Sequence, residues 1–171
     1  MLQPIMHIIK QKNIVLASAS PRRKELMENI GLKVTLCPSN FEENLDPKKF
    51  NSFSEFVEET ALQKVLEVEH RLNIGENKPD VIIGADTMVT LDGVMFEKTD
   101  VTFGKLDDEQ IHGYIDSGEP MDKAGGYGIQ GVGGTFVERV DGDYFTVVGL
   151  PLYRLCSVLY DIFKHEKLKS T

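Results

Sequence analysis

Short apolar runs and helical periodicities alternate along the chain. Ile14-Val15-Leu16-Ala17 is a compact apolar run, and Ser20-Pro21 follows it with an N-cap residue and a proline suited to the first helical position. This spells strand, tight turn, helix. The helix carries Leu26 and Ile30 at i, i+4 and stops at Gly31, and residues 33–37 read as a second strand. Ser52, with Glu55 three residues on, forms a capping box for the clearest helix, whose apolar positions are Phe53, Val57, Ala61, Val65, Val68 and Leu72. Lys78-Pro79 breaks it. Val81-Ile82-Ile83 is continuous and β-branched, as a strand buried on both faces is. Residues 88–91 and 94–96 flank Asp92-Gly93, and residues 135–140 and 144–148 flank Asp141-Gly142, so two hairpins are predicted. Between them come a helix opened by Asp107 and Gln110, with Ile111, Tyr114 and Ile115 inward, and a glycine-rich loop over 118–134. Pro151 starts an amphipathic helix through Leu152, Leu155, Leu159 and Phe163. With no repeat and no linker, this predicts a single α/β domain over 1–171, its core at about 13–163, built on a mixed sheet.

Composition narrows the function classes. Nineteen Lys+Arg against 27 Asp+Glu give a formal net charge of −8, which argues against a nucleic-acid polymer or an anionic membrane as partner. Any polyanion is met locally. No stretch approaches the roughly 20 apolar residues of a membrane span, and the first ten residues lack the basic start and cleavage site of a secretory signal. A cytoplasmic location is expected, with Cys37 and Cys156 as reduced thiols packed in the core.

Several residues sit where a purely structural role explains them poorly. Arg22 and Arg23 fall in the first turn of a helix, where the macrodipole disfavours each cation by roughly 0.3–1 kcal/mol. A bound phosphate explains them, because helix-start N–H groups, the Ser18 and Ser20 hydroxyls and two guanidinium forks make an anion cradle. A solvated basic pair is the alternative. Lys64 lies inside the apolar stripe of its helix, either snorkelling to the surface or aimed at the same anion. Asp86 follows the carboxyl end of a strand, where ligands bind in open α/β sheets, although a strand-end Asp is also a common turn former. Glu42 and Glu43 offer a second carboxylate for a hard divalent cation, or simply a solvated acidic loop. Gly126-x-Gly128-x-x-Gly131 matches a dinucleotide fingerprint, but no strand precedes it and no helix follows, so that reading fails. Gln130 inside it has an amide able to meet both acceptor and donor edges of a base. No HExxH, CxxC or GxSxG occurs.

In this order, Leu16-Ala17-Ser18-Ala19-Ser20-Pro21-Arg22-Arg23, the Glu42 segment, Glu59-x-Ala61-x-x-Lys64, Ile83-Gly84-Ala85-Asp86-Thr87, Asp122-Lys123-Ala124-Gly125-Gly126-Tyr127-Gly128-Ile129-Gln130-Gly131 and Gly142-Asp143-Tyr144-Phe145-x-Val147-Val148-Gly149-Leu150-Pro151 resemble the Maf family of nucleoside-triphosphate pyrophosphatases. The resemblance implies the α/β fold shared with inosine-triphosphate pyrophosphatases, an elongated mixed sheet flanked by helices with a cleft at one end. It implies hydrolysis between the α and β phosphates with a divalent metal, Mg²⁺ or Mn²⁺, and a homodimeric assembly. Asp86 would be the general base, Lys64 and Lys98 would join it in catalysis, and Glu42 with Asp86 would hold the metal. Ser18, Ser20, Arg22, Arg23, Thr87, Lys123 and Gln130 would bind substrate. The set Arg22, Thr87 and Gln130 resembles the branch acting on dTTP, UTP and related pyrimidine nucleotides.

One departure is plain. In the family the hairpin is followed by a helix and further strands before a Lys-Thr-x-Val-x-Phe strand. Here Glu97-Lys98 runs directly into Thr99-Asp100-Val101-Thr102-Phe103, so one strand-helix-strand unit of about 30 residues or more is missing. A non-catalytic nucleotide-binding or dimerisation module is therefore the alternative to an active enzyme.

Overall fold

The computed structural model describes residues 1–73, 78–87 and 99–167. The first predicted hairpin and Lys98 lie outside these residues. Before the first strand, a 3-10 turn at Gln3–Ile5 leads into the short helix α1 (Met6–Ile9). Leu2, Ile5, Ile8 and Ile9 are buried in the main core together with residues as distant as Phe163, so the core reaches back beyond residue 13.

Strand β1 (Ile14–Leu16) is buried at every position because it is the middle strand of a parallel sheet. Strand β2 (Thr35–Leu36) pairs on one side and β3 (Val81–Ile83) on the other, with Val15 opposite both Thr35 and Ile82. Helix α2 (Pro21–Asn29) follows β1 as the Ser20-Pro21 signal predicts, and the Ser20 hydroxyl accepts from the Arg23 N–H. Its inner face, Leu26 and Met27, enters the main core.

Helix α3 (Phe53–Leu72) starts at Ser52 as expected, but the box is half made. Ser52 Oγ accepts from the Glu55 N–H, whereas the Glu55 carboxylate reaches back one residue further, to the N–H of Asn51 at 2.9 Å. Of the predicted stripe, only Val68 is fully buried; Phe53 is 38% exposed, and the neighbouring Leu62 and Leu66 are exposed as well. Val65 and Leu72 pack on a small second cluster formed by Val15, Ala17 and Val68. Strand β3 is likewise only half-buried, not covered on both faces, because no described strand pairs beyond it.

The remaining strands, β4 (Asp100–Phe103) and β5 (Val137–Asp141), form a separate antiparallel pair with a register shift at Thr102/Phe103. Parallel and antiparallel pairing thus both occur, in two separate sheets among the described residues and not one continuous sheet. Helix α4 (Asp108–Asp116) has the full predicted box between Asp107 and Gln110. The second predicted hairpin does not form. Residues 144–148, aromatic and β-branched though they are, make a short helix α5 (Tyr144–Val148). The reason is local: the Asp143 carboxylate accepts from the Phe145 N–H and the Thr146 hydroxyl, and Gly149, at φ 128°, ends the turn. Helix α6 (Leu152–Lys167) closes the core with Leu152, Leu159 and Phe163. Cys37 and Cys156 are free and half-buried against the two clusters, and burial pushes the Cys156 thiol up. No helix among the described residues is long and apolar enough to cross a membrane.

Candidate active site

Three chain segments converge at the carboxyl ends of β1 and β3. Gly84 makes the convergence possible: a Cβ there would lie 2.5 Å from Val65 Cγ2 and 2.6 Å from the Ala61 carbonyl oxygen. Without a side chain, the end of β3 presses against α3 and delivers Asp86 to Lys64. The Lys64 ammonium donates to Asp86 Oδ1 at 2.7 Å, both side chains being about six-sevenths buried (13% and 15% exposed). It also pairs with Glu43 Oε1 at 2.8 Å. Lys64 therefore does not snorkel away but holds two carboxylates together.

The second carboxylate here is Glu43, not Glu42. Glu42 is exposed, and its side chain has no hydrogen bond or ion pair among the described residues. The sequence offered no way to choose within the pair, since adjacent residues in an irregular segment have no fixed periodicity. Asp86 and Glu43 supply hard oxygen donors, each paired with the Lys64 ammonium, and Mg²⁺-type ions take one or two carboxylates and leave the remaining positions to phosphates and water. The donor set fits such a cation. Among the described residues no group of three or more His, Cys, Asp and Glu is arranged to hold a metal on protein ligands alone.

Arg23 is buried among the strand ends. It is 9% exposed. Its Nε donates to the Gly149 carbonyl (2.8 Å), one terminal nitrogen to Ser18 Oγ (3.0 Å) and the Ala85 carbonyl (2.8 Å), and the other to Thr87 Oγ1 (2.8 Å). These four bonds join β1, α2, β3 and α5, and leave a single guanidinium N–H for a ligand. Burial lowers its pKa, with the nearby Asp86 opposing. The formation of α5 is what brings the Gly149 carbonyl to this position. Ser18 Oγ accepts from both Arg23 and the Ser20 N–H, and Thr87 accepts from Arg23, so these hydroxyls orient the arginine. Arg22 is different: half-exposed, it forms no hydrogen bond or ion pair among the described residues, and its charge is felt at Asp122 in the glycine-rich loop.

That loop is organised by a residue the sequence analysis passed over. The Glu119 carboxylate accepts from the Tyr114 hydroxyl (2.8 Å) and from the N–H groups of Val132 (2.9 Å) and Gly133 (3.0 Å). Lys123 is committed to the same structure, its ammonium pairing with the Asp122 carboxylate and the Glu119 carbonyl. Gln130 is exposed, and its amide has no hydrogen bond among the described residues. The Gly133 N–H first, then the Val132 N–H and the Tyr114 hydroxyl, hold the Glu119 carboxyl below the usual glutamate range. A depressed folded pKa gives stability that is complete above the unfolded value, about 4.3, and is lost as pH falls through the folded one. Glu67, held down by the Asn40 N–H, adds to this in the same direction. Thermal melts are expected to show stability level from pH 7 to about 5 and falling below pH ~4, with a shallower fall in Glu119→Gln. An acid limb of equal steepness in the variant would contradict this.

The profile of the family described as Maf-like protein matches residues 13–99 and 92–162. The chain belongs to the Maf-like protein family. The two matches overlap at 92–99, the stretch in which Glu97-Lys98 meets Thr99. This Maf-like chain is 38% identical to the "dTTP/UTP pyrophosphatase" of Clostridium perfringens (strain SM101 / Type A), over 87% of the chain and 97% of the relative. It is 36% identical to the protein of that name from Caldicellulosiruptor bescii, over 91% and 99%. It is also 38% identical to the "Probable bifunctional dTTP/UTP pyrophosphatase/methyltransferase protein" of Homo sapiens, over 95% of the chain and 34% of that protein, so it spans about a third of the human relative's length. The Clostridium alignment runs over 192 positions but holds 87% of 171 residues, about 149, so roughly 40 positions of the relative face a gap in this chain. The Maf-like chain is thus a shortened member, as the direct passage from Lys98 to Thr99 predicts.

Proposed function

We propose that this chain is a nucleoside-triphosphate pyrophosphatase that cleaves dTTP, UTP and related pyrimidine nucleotides to the monophosphate and pyrophosphate. The observation that carries it is the half-buried cluster in which Lys64 joins Asp86 (2.7 Å) and Glu43 (2.8 Å) at the mouth of the parallel sheet. The relatives' names, set on nearly full-length alignments to bacterial proteins, give the substrate class. Asp86 orients a water and accepts its proton. Asp86 and Glu43 would hold a divalent cation, Mg²⁺ or Mn²⁺, which when bound neutralises charge on the phosphoryl oxygens. Triphosphate arriving at the cluster gives the Lys64 ammonium a third anionic partner and loosens its hold on Glu43. Arg22, without a hydrogen bond or ion pair among the described residues, offers its guanidinium to the phosphates, and Lys98 is the further cation drawn from the sequence. Arg23, Ser18 and Thr87 keep the strand ends in register around them. Gln130, its amide unengaged among the described residues, pairs with the edge of the base.

Incubating the pure chain with dTTP, UTP, CTP, GTP and 7-methyl-GTP, each with Mg²⁺ or Mn²⁺, tests this. Pyrimidine triphosphates are expected to be hydrolysed fastest; fastest turnover of GTP or 7-methyl-GTP would sink the assignment. The missing positions and the half-bare β3 and α3 favour a second reading, a nucleotide-binding module without turnover. An inert chain that still binds dTTP would select it.

A further inference from the structure

We propose that Glu119 is a positioning residue for base recognition, fastening the glycine-rich loop on both sides of Gln130 so that the amide is presented outward. The inference rests on the pyrophosphatase reading above and adds to it a residue that touches no substrate. The attachment is a short chain of bonds. On the near side of Gln130, the Gly128 N–H donates to the Tyr114 hydroxyl at 2.9 Å, which itself donates to Glu119 Oε1 at 2.8 Å. On the far side, Val132 and Gly133 donate their N–H groups directly to the two carboxylate oxygens. One carboxylate thus ties residues 128 and 132–133, and the loop between them is held at both ends.

The glycines explain themselves by the closeness of this packing. A Cβ at Gly131 would lie 2.6 Å from Glu119 Oε2 and 2.7 Å from Oε1, one at Gly128 would lie 2.9 Å from Oε1, and one at Gly133 would lie 2.5 Å from the Tyr114 hydroxyl oxygen. A side chain at Gly128 or Gly131 would push the Glu119 carboxylate aside, and one at Gly133 would strike the Tyr114 hydroxyl and the Gly128 nitrogen. Tyr114 is in turn fixed from below: it is 8% exposed and packs edge-on against Phe136, ring centres 4.9 Å apart. The sequence carries the signal as Tyr114-x-x-x-x-Glu119 followed by the glycine series. A carboxylate is needed because all three of its partners donate. An amide in its place turns one acceptor into a donor facing an N–H.

The test separates base recognition from phosphate binding. Affinities of the full chain, of Glu119→Gln and of Tyr114→Phe are measured calorimetrically for α,β-methylene-dTTP and for tripolyphosphate, which has the phosphates and no base. In Glu119→Gln the analogue is expected to bind about tenfold more weakly, the loss of roughly one well-placed interaction, while tripolyphosphate stays within about twofold. Tyr114→Phe is expected to fall in between. Preserved tripolyphosphate binding also shows that the variants fold. Parallel weakening of both ligands, or no change in either, overturns the inference. A native chain that binds the analogue no better than tripolyphosphate also overturns it, and leaves the pyrophosphatase reading to the hydrolysis assay. A native chain that binds neither overturns that reading and this inference together.

Discussion

Asp86→Asn is expected to lower dTTP turnover by on the order of 10²-fold or more while nucleotide binding survives. The substitution keeps the shape of the side chain and removes its charge. Asparagine can still accept from Lys64 through its amide oxygen, and Lys64 retains Glu43 at 2.8 Å, so the cluster is not dismantled. What disappears is the carboxylate that Lys64 holds just past the end of β3, and with it the proton acceptor for water. The expected signature is a fall in kcat with KM little changed, measured alongside direct binding of dTTP. Robust turnover in Asp86→Asn would remove Asp86 from the chemistry.

The second large effect separates two neighbouring arginines. From the helix dipole alone, replacing either Arg22 or Arg23 by Ala should leave the unliganded fold as stable or slightly more so. The structure corrects this for Arg23. Its guanidinium makes four hydrogen bonds to Gly149, Ser18, Ala85 and Thr87, and the two carbonyls and two hydroxyls among them lose a partner together. With each buried acceptor left short of a bond costing about 1 kcal/mol or more, Arg23→Ala is expected to cost on the order of 3 kcal/mol, or about 6–12 °C in melting temperature for a chain of this size. Arg22→Ala, losing no described bond, is expected to melt within about 0.5 kcal/mol of the native chain yet bind triphosphate more weakly. Equal melting temperatures for both variants would contradict the structural role of Arg23.

Sequence reasoning succeeded at helix starts where a local rule acts alone. Ser20-Pro21 opened α2, and Asp107 with Gln110 opened α4 with both halves of its box made. Asp86 and Lys64 stood out because each breaks a pattern, one by following an apolar run and the other by entering an apolar stripe, and the two side chains pair at 2.7 Å. Where two rules competed, the outcome depended on tertiary structure. Residues 144–148 have strand composition, but the Asp143 cap and the Gly149 stop made them helical, and the Arg23 anchor depends on that choice. The choice of Glu43 over Glu42 depends on where Lys64 reaches, which no spacing within residues 39–46 encodes. The thin burial of β3 and α3 was not visible in their own residues, which are as apolar as a covered strand and helix require. The chain also lacks roughly 40 positions that the Clostridium relative has. Glu119 escaped notice because its partners are backbone N–H groups 13 and 14 residues away and a tyrosine on another helix.

In the proposed reaction Asp86 directs water at the α-phosphorus. Hydrolysis of dTTP in ¹⁸O-labelled water, with both products analysed by mass spectrometry, checks this. One ¹⁸O is expected in the monophosphate and none in pyrophosphate. Label in pyrophosphate, or release of orthophosphate and nucleoside diphosphate, would place the attack at another phosphorus and contradict it.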